Sequence, residues 1–150
     1  MSYEIKHCKV SDILTLADDL LKEHWDEICV NKKMMKIKPD ESAYEALEDS
    51  GKLIILGAFL DDALVGYSVN IISNHPHYVD LKCLSNDLLF VSKDHRGSTL
   101  GMRLIKFTEQ EAEHVDARMM MWHCKKGTAL EAIMQRQNYN VQDVIYSKEV

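Results

Sequence analysis

Apolar positions recur along the chain with two different periods, and the switches between them sketch the fold. Tyr3 to Cys8 alternates in the manner of an opening strand. Ile13, Leu16, Ala17, Leu20, Leu21 and Trp25 then recur at helical spacing as far as Ile28, with the Ser11 side chain offered as N-cap. Asn31 to Pro39 (NKKMMKIKP) has no period and reads as a basic connector whose lysines form a solvated face. Asp40 caps a shorter helix through Tyr44 and Leu47, and Gly51 is placed to end it. Leu53 to Leu60 is a run of branched apolar residues expected to be a buried strand; Asp61-Asp62 turns it into a partner from Leu64 to Ile72. Residues 73 to 78, SNHPHY, read as a polar loop, and Leu81 to Val91 as the next strand. Leu100, Leu104, Phe107 and Val115 mark the apolar face of a helix. Arg118 to Cys124 is a further strand, Thr128 caps a helix carrying Leu130, Ile133 and Met134, and Val141 to Ser147 reads as a closing strand. The order β-α-α-β-β-β-α-β-α-β describes a mixed α/β layered domain.

Bulk properties narrow the setting. A chain of 150 residues is expected to form one domain, residues 1 to 150, burying about two-thirds of its unfolded surface. No apolar run approaches the roughly 18 residues of a membrane span, and the first residues lack the basic-then-apolar pattern of a signal peptide. No membrane association and a cytoplasmic location are therefore expected. Cys8, Cys29, Cys83 and Cys124 are scattered without metal-site spacing, as free thiols in a reducing compartment would be. Acidic residues outnumber basic ones by 24 to 18, for a net charge of −6. That balance argues against nucleic acid as a partner and suits a cationic or amine-bearing one.

One junction carries specific chemistry. The apolar run ending at Val91 gives way to polar residues, and Arg96-Gly97-Ser98-Thr99-Leu100-Gly101 leads straight into an amphipathic helix. A helix start presents unpaired N–H groups and the positive end of the helix dipole, and glycines let an anion approach them. Arg96 and the hydroxyls of Ser98 and Thr99 would add donors, so a phosphate or pyrophosphate is expected here. The spacing is neither GxxxxGK nor an early GxGxxG, which excludes the P-loop and dinucleotide-fold readings. The other reading of the loop is a packing turn.

Leu89-x-Val91 followed by Arg96-x-x-Thr99-x-Gly101 and Leu104 resembles motif A of the GCN5-related N-acetyltransferases, with Thr99 where the middle glycine is usual. The element order resembles that family too, and the short form and HPHY segment are similar to bacteriophage-encoded members. The resemblance implies an acyl-coenzyme A N-acyltransferase fold: a mostly antiparallel sheet flanked by helices, with a splayed strand pair. It implies acetyl-coenzyme A as co-substrate, its pyrophosphate on Arg96, Gly97, Ser98, Thr99, Leu100 and Gly101 and its pantetheine along Leu89, Phe90 and Val91. Direct attack by a primary amine on the thioester follows, the acceptor being a small amine, a protein lysine or an N-terminus. Such an amine must lose a proton, and the family's frequent base positions fall on Ser85 and Asp87. Simple alternation would put Ser85, Asp87, Leu89 and Val91 on one face.

His123, expected on the strand that splays away, is a second candidate base or acid. The family's general-acid tyrosine falls on Met134, which donates no useful proton; Tyr139 and Tyr78 are the available substitutes. His77 and Tyr78, with His75, and Trp25 at the end of the first helix are candidate acceptor contacts, the neighbouring Asp26 and Glu27 suiting a cationic amine. Lys125 and Lys126 read as solvated lysines. Homodimerisation is common in the family, and the closing strand 141 to 147 offers a route to it. The missing tyrosine and the altered glycine leave a second function open: a non-catalytic acyl-coenzyme A-binding module serving regulation or interaction.

Overall fold

The computed structural model describes residues 2–150. Five strands form one sheet in the order β1 (Tyr3–Cys8), β2 (Leu53–Leu60), β3 (Ala63–His75), β4 (Tyr78–Val91) and β5 (Met119–Trp122). The first three pairings are antiparallel and the last is parallel. Helices α1 (Val10–Leu16), α2 (Asp18–Ile28) and α3 (Glu41–Asp49) precede β2; α4 (Leu100–His114) crosses from β4 to β5, and α5 (Ala129–Arg136) follows β5.

Strand alternation divides the core. Ile54, Leu56, Ala58, Ile72 and Leu84 face α4 and pack on its Leu100 and Leu104. Ile55, Tyr67, Val69 and Phe90 face the other way, against Val10 of α1 and Leu20 of α2. The expected mixed, mostly antiparallel sheet flanked by helices is what the chain forms.

Four boundaries differ from the periodicity. The long first helix is two helices meeting at Ala17, a fully buried residue that caps both, and the acidic pair Asp18-Asp19 opens the second at its positive end. Ser11 lies inside α1; the Lys9 amide donates instead to the Asp12 carboxylate at 2.8 Å. The polar segment 73–78 is strand on both sides of Pro76-His77, because edge-to-edge pairing does not require apolar side chains. Residues 141–147 form no strand: Val141, Ile145 and Tyr146 are all exposed, so the proposed dimerisation strand is absent. No helix among the described residues is long and apolar enough to cross a membrane, and the four cysteines are unpaired.

Candidate active site

The middle of β4 is where the regular ladder fails. Val69 pairs with Leu88 and Asn70 with Asn86, so Asp87 is an extra residue, a β-bulge. β5 pairs with β4 only from Cys83 to Asn86, the last pair being Asn86 with Trp122. Beyond it β4 runs to Val91 with that edge unpaired, which opens a fork between two parallel strands.

A buried polar cluster holds the fork. Asn86 is 1% exposed, and its side-chain amide donates to Asn70 Oδ1 at 2.8 Å and to the Leu88 carbonyl at 3.1 Å. Asn70 Nδ2 reaches Ser68 Oγ at 3.0 Å, and Ser68 pairs with Thr108 of α4 at 2.8 Å. Asparagines inside a sheet are costly unless every group is paired. This group was missed from sequence; its signal is three polar residues at alternating or opposed positions in otherwise apolar strands. Trp122, paired with Asn86 along the backbone, stands edge-on to Tyr139, and its buried indole N–H finds no acceptor at hydrogen-bonding geometry.

The bulge also corrects the facing of β4. Ser85 and Asp87 lie on the α1–α3 side with Phe90, whereas Leu89 and Val91 pack on the α4 side. One extra residue reverses the alternation after Asp87, so the four residues do not share a face. Asp87 accepts a hydrogen bond of 2.5 Å from the Tyr44 hydroxyl of α3. Burial first, and then the Asp87 carboxylate, hold the Tyr44 phenol above its usual range, so it is a standing donor to Asp87.

At the end of β4 the chain makes a 3-10 turn, Lys93–His95, and enters α4 through Arg96–Thr99. Gly97 has φ +82°, a left-handed conformation that favours glycine. The amides of Gly97, Ser98, Thr99, Gly101 and Met102 have no acceptor among the described residues. A Cβ built on Gly101 would meet nothing within 4 Å, so the helix start is open to a ligand on that side. The Ser98 hydroxyl is spent on the His95 carbonyl at 3.0 Å, whereas Thr99 caps the helix by position alone and its side chain makes no cap bond. The Arg96 side chain departs from expectation: its guanidinium holds Glu27 of α2 through two 2.6 Å contacts, Nε donates to the Val91 carbonyl at 2.9 Å, and the group lies over the Phe90 ring. It ties α2 to the end of β4, with three of its five N–H groups bonded there.

On the α1–α3 face a cavity of about 390 Å³ lies between the helices, the 31–39 connector and the sheet. Leu21, Ile28, Ile55, Val69 and Leu88 line it, and Trp25 contributes a wall fixed by its indole N–H to the Met35 carbonyl at 2.6 Å. Tyr44 connects the cavity to Asp87. His24 lines it too; it is stacked on Phe90 at 4.4 Å, with Nδ1 2.7 Å from the Tyr67 hydroxyl.

The other candidates lie apart. His77 and Tyr78 are at the β3–β4 hairpin tip with His75, and Tyr78 is 62% exposed. Nine residues of strand put that tip about 30 Å from Asp87; the structure does not bring it to the cavity. His123 lies just past β5 and is exposed, not strand-borne. Met134 is buried, and the Tyr139 hydroxyl donates to Glu109 at 2.8 Å, with burial first among the causes that raise its pKa to about 12. Asp26 is exposed and Glu27 is held by Arg96, so neither acid lines the cavity.

The sequence profile of the acetyltransferase (GNAT) family matches residues 17–134. No curated protein sequence matches significantly. Among solved structures, a ribosomal-protein-alanine N-acetyltransferase from Brucella melitensis biovar Abortus 2308 superposes with TM-score 0.69 at 21% identity, covering 99% of this chain and 97% of that one. An aminoglycoside acetyltransferase from an uncultured soil metagenomic sample gives 0.76 at 15% identity, covering 100% and 99%. AAC(6')-Iy, bound to the bisubstrate analogue CoA-S-monomethyl-acetylneamine, gives 0.68 at 16% identity, covering 100% and 99%.

Proposed function

Since the chain belongs to the acetyltransferase (GNAT) family and is an N-acetyltransferase, we propose that it takes its acetyl group from acetyl-coenzyme A and passes it to a primary amine entering from the α1–α3 side. The observation that carries this reading is the fork: β4 leaves β5 at the Asp87 bulge and runs, with a free edge, into a helix start bearing five unpaired amides. A thioester with an amide-rich arm and a pyrophosphate matches both parts, the arm on the edge of Leu89, Phe90 and Val91 and the pyrophosphate on the amides from Gly97 to Met102. The open space beside Gly101 supports the fit. AAC(6')-Iy, of the same fold, was crystallised with a coenzyme A conjugate.

In the reaction the amine nitrogen bonds to the acetyl carbonyl carbon, and the C–S bond breaks with its electron pair going to sulfur. The proton lost by nitrogen ends on the thiol. Asp87, oriented by the Tyr44 hydroxyl, is the group placed to take that proton, with Ser85 on the same face. No tyrosine at position 134 is required, because a thiol with a pKa near ~8.5 leaves readily. Unpaired thiols are in keeping with a reducing, cytoplasmic setting.

Calorimetric titration with acetyl-coenzyme A tests the first half. Gly101→Glu places a carboxylate in the open space at the helix start and is expected to abolish binding while the circular dichroism spectrum is retained. Undiminished affinity in that variant would refute the pyrophosphate assignment. Thiol release with an amine, and its loss in Asp87→Asn, separates an enzyme from a silent coenzyme-binding module.

A further inference from the structure

Resting on the acetyl-transfer reading above, we propose that the acceptor is a small amine with an apolar body and a carboxylate, of which an apolar amino acid is the simplest form. The cavity on the α1–α3 face is the site. Its volume, about 390 Å³, falls at the small-molecule end of ligand pockets, which span roughly 300–1,000 Å³. Branched aliphatic side chains make half of its lining, and none of them can hydrogen-bond. A polyamine or an aminosugar would bury hydroxyl or ammonium groups there without partners, at roughly 1–3 kcal/mol for each.

Charge points the same way. No carboxylate lines the cavity, whereas Lys36 and Lys38 of the connector and Lys125, three residues past β5, all do. The remaining polar liners are His24, which burial keeps neutral with its pKa lowered to about 4, Tyr44, and Trp25 and Cys29, whose donors both face the Met35 carbonyl. The protein is acidic overall, so three lysines lining one apolar cavity with no acid among them run against the bulk charge. They repel a polycation and complement a single carboxylate. Tyr44 fixes the direction: it lines the cavity and donates to Asp87, so the reacting nitrogen belongs at that end, the apolar body among Leu21, Ile28 and Val69, and the carboxylate at the lysines. The transfer is the one written above, and its product is an N-acetyl amino acid that has lost the cationic half of its zwitterion.

Matched amines test the assignment. Thiol release is followed with phenylalanine, phenylalaninamide, phenethylamine and spermidine at saturating acetyl-coenzyme A. Phenylalanine is expected to exceed the amide and phenethylamine at least tenfold in kcat/KM, with spermidine below all three. Lys36→Met with Lys38→Met, and separately Lys125→Met, should cut the preference for phenylalanine over phenethylamine severalfold, through KM. Equal rates for acid and amide, a preference for spermidine, or an unchanged ratio in both lysine variants would each overturn the proposal. Acetyl-coenzyme A binding measured on the same samples separates the two readings. Binding without acetylation of phenylalanine overturns the acceptor class alone. No coenzyme binding overturns the parent reading, and ligand-observed NMR of phenylalanine against phenethylamine then decides whether the cavity reads a carboxylate.

Discussion

Mild acidification, from pH 7 to 5, should destabilise this protein through His24. The ring is 7% exposed, lies flat on Phe90, and faces the Tyr67 hydroxyl. Burial is the main cause that lowers its pKa from 6.5 to about 4; Glu27 pulls weakly upward and Arg96 downward. An unfolded chain takes up this proton near pH 6.5, so between 6.5 and 4 it binds one more proton than the folded protein. Stability is therefore complete above pH 6.5, falls as the pH falls, and has lost its full share at about pH 4. At roughly 1.4 kcal/mol for each pH unit, the whole loss is about 3 kcal/mol, with about 2 kcal/mol gone by pH 5. Glu27, whose pKa Arg96 lowers below 4.5, adds its loss only beneath that value, which leaves the interval from pH 7 to 5 to His24.

The assay is urea unfolding at pH 7, 6, 5 and 4, with a comparator that cannot take up the proton. His24→Phe alone would strand the Tyr67 hydroxyl in the core, at about 1–3 kcal/mol. His24→Phe with Tyr67→Phe removes both partners and keeps the ring volumes, so its stability at pH 7 should stay close to the parent's. The expected result is a parent curve that drops about 2 kcal/mol more than the double variant between pH 7 and 5, at constant m-value. Parallel curves would refute the reasoning.

Three further outcomes follow from the site. Asn86→Ala leaves the Asn70 Oδ1 and Leu88 carbonyl acceptors buried without their donor; at about 1–3 kcal/mol each, the thermal midpoint should fall by about 10 °C, and a calorimetric drop under about 2 °C would mean the cluster does not hold the bulge. Glu27→Gln breaks a half-exposed ion pair worth at most about 1 kcal/mol, and by freeing the Arg96 guanidinium it should strengthen acetyl-coenzyme A binding in calorimetry; weaker binding would show that Arg96 serves only as a brace. Tyr44→Phe and Asp87→Asn should each lower kcat, and the double variant should lose no more than Asp87→Asn alone, because the hydroxyl acts through the carboxylate; independent, multiplying losses would exclude that coupling.

The strands and the glycine-containing turn into α4 were legible because both are local. Leu53–Leu60 is a continuous apolar run with few other homes, and the change of period at residues 91 to 100 marks a strand-to-helix turn whatever surrounds it. Long-range pairing decides what was not legible. The closing segment 141–147 has strand-like composition and no partner among the described residues, and β-propensity without an edge to join is not a strand. Arg96 could be identified as a cation near the loop, but its destination depended on Glu27, 69 residues away. The cavity's character was misjudged for the same reason: the Asp26-Glu27 pair looked like its lining, whereas the solvated-looking connector 31–39 and Lys125 supply its charges.

The bulge at Asp87 explains how one strand presents different groups to opposite sides of the sheet. Without the extra residue, the side chains following Asp87 would stay in phase with Ser85, and β5 could continue its pairing along β4. With it, the phase reverses inside a single strand. Asp87 turns toward the helices α1–α3 and the cavity, Leu89 and Val91 anchor the free-edged segment on α4, and the backbone between them faces the gap. A buried amide cluster is costly in a sheet of this size, yet it occupies the position where that reversal must be held. The polar core and the fork are thus one feature, since a regular apolar ladder would pack better and leave no free edge on β4.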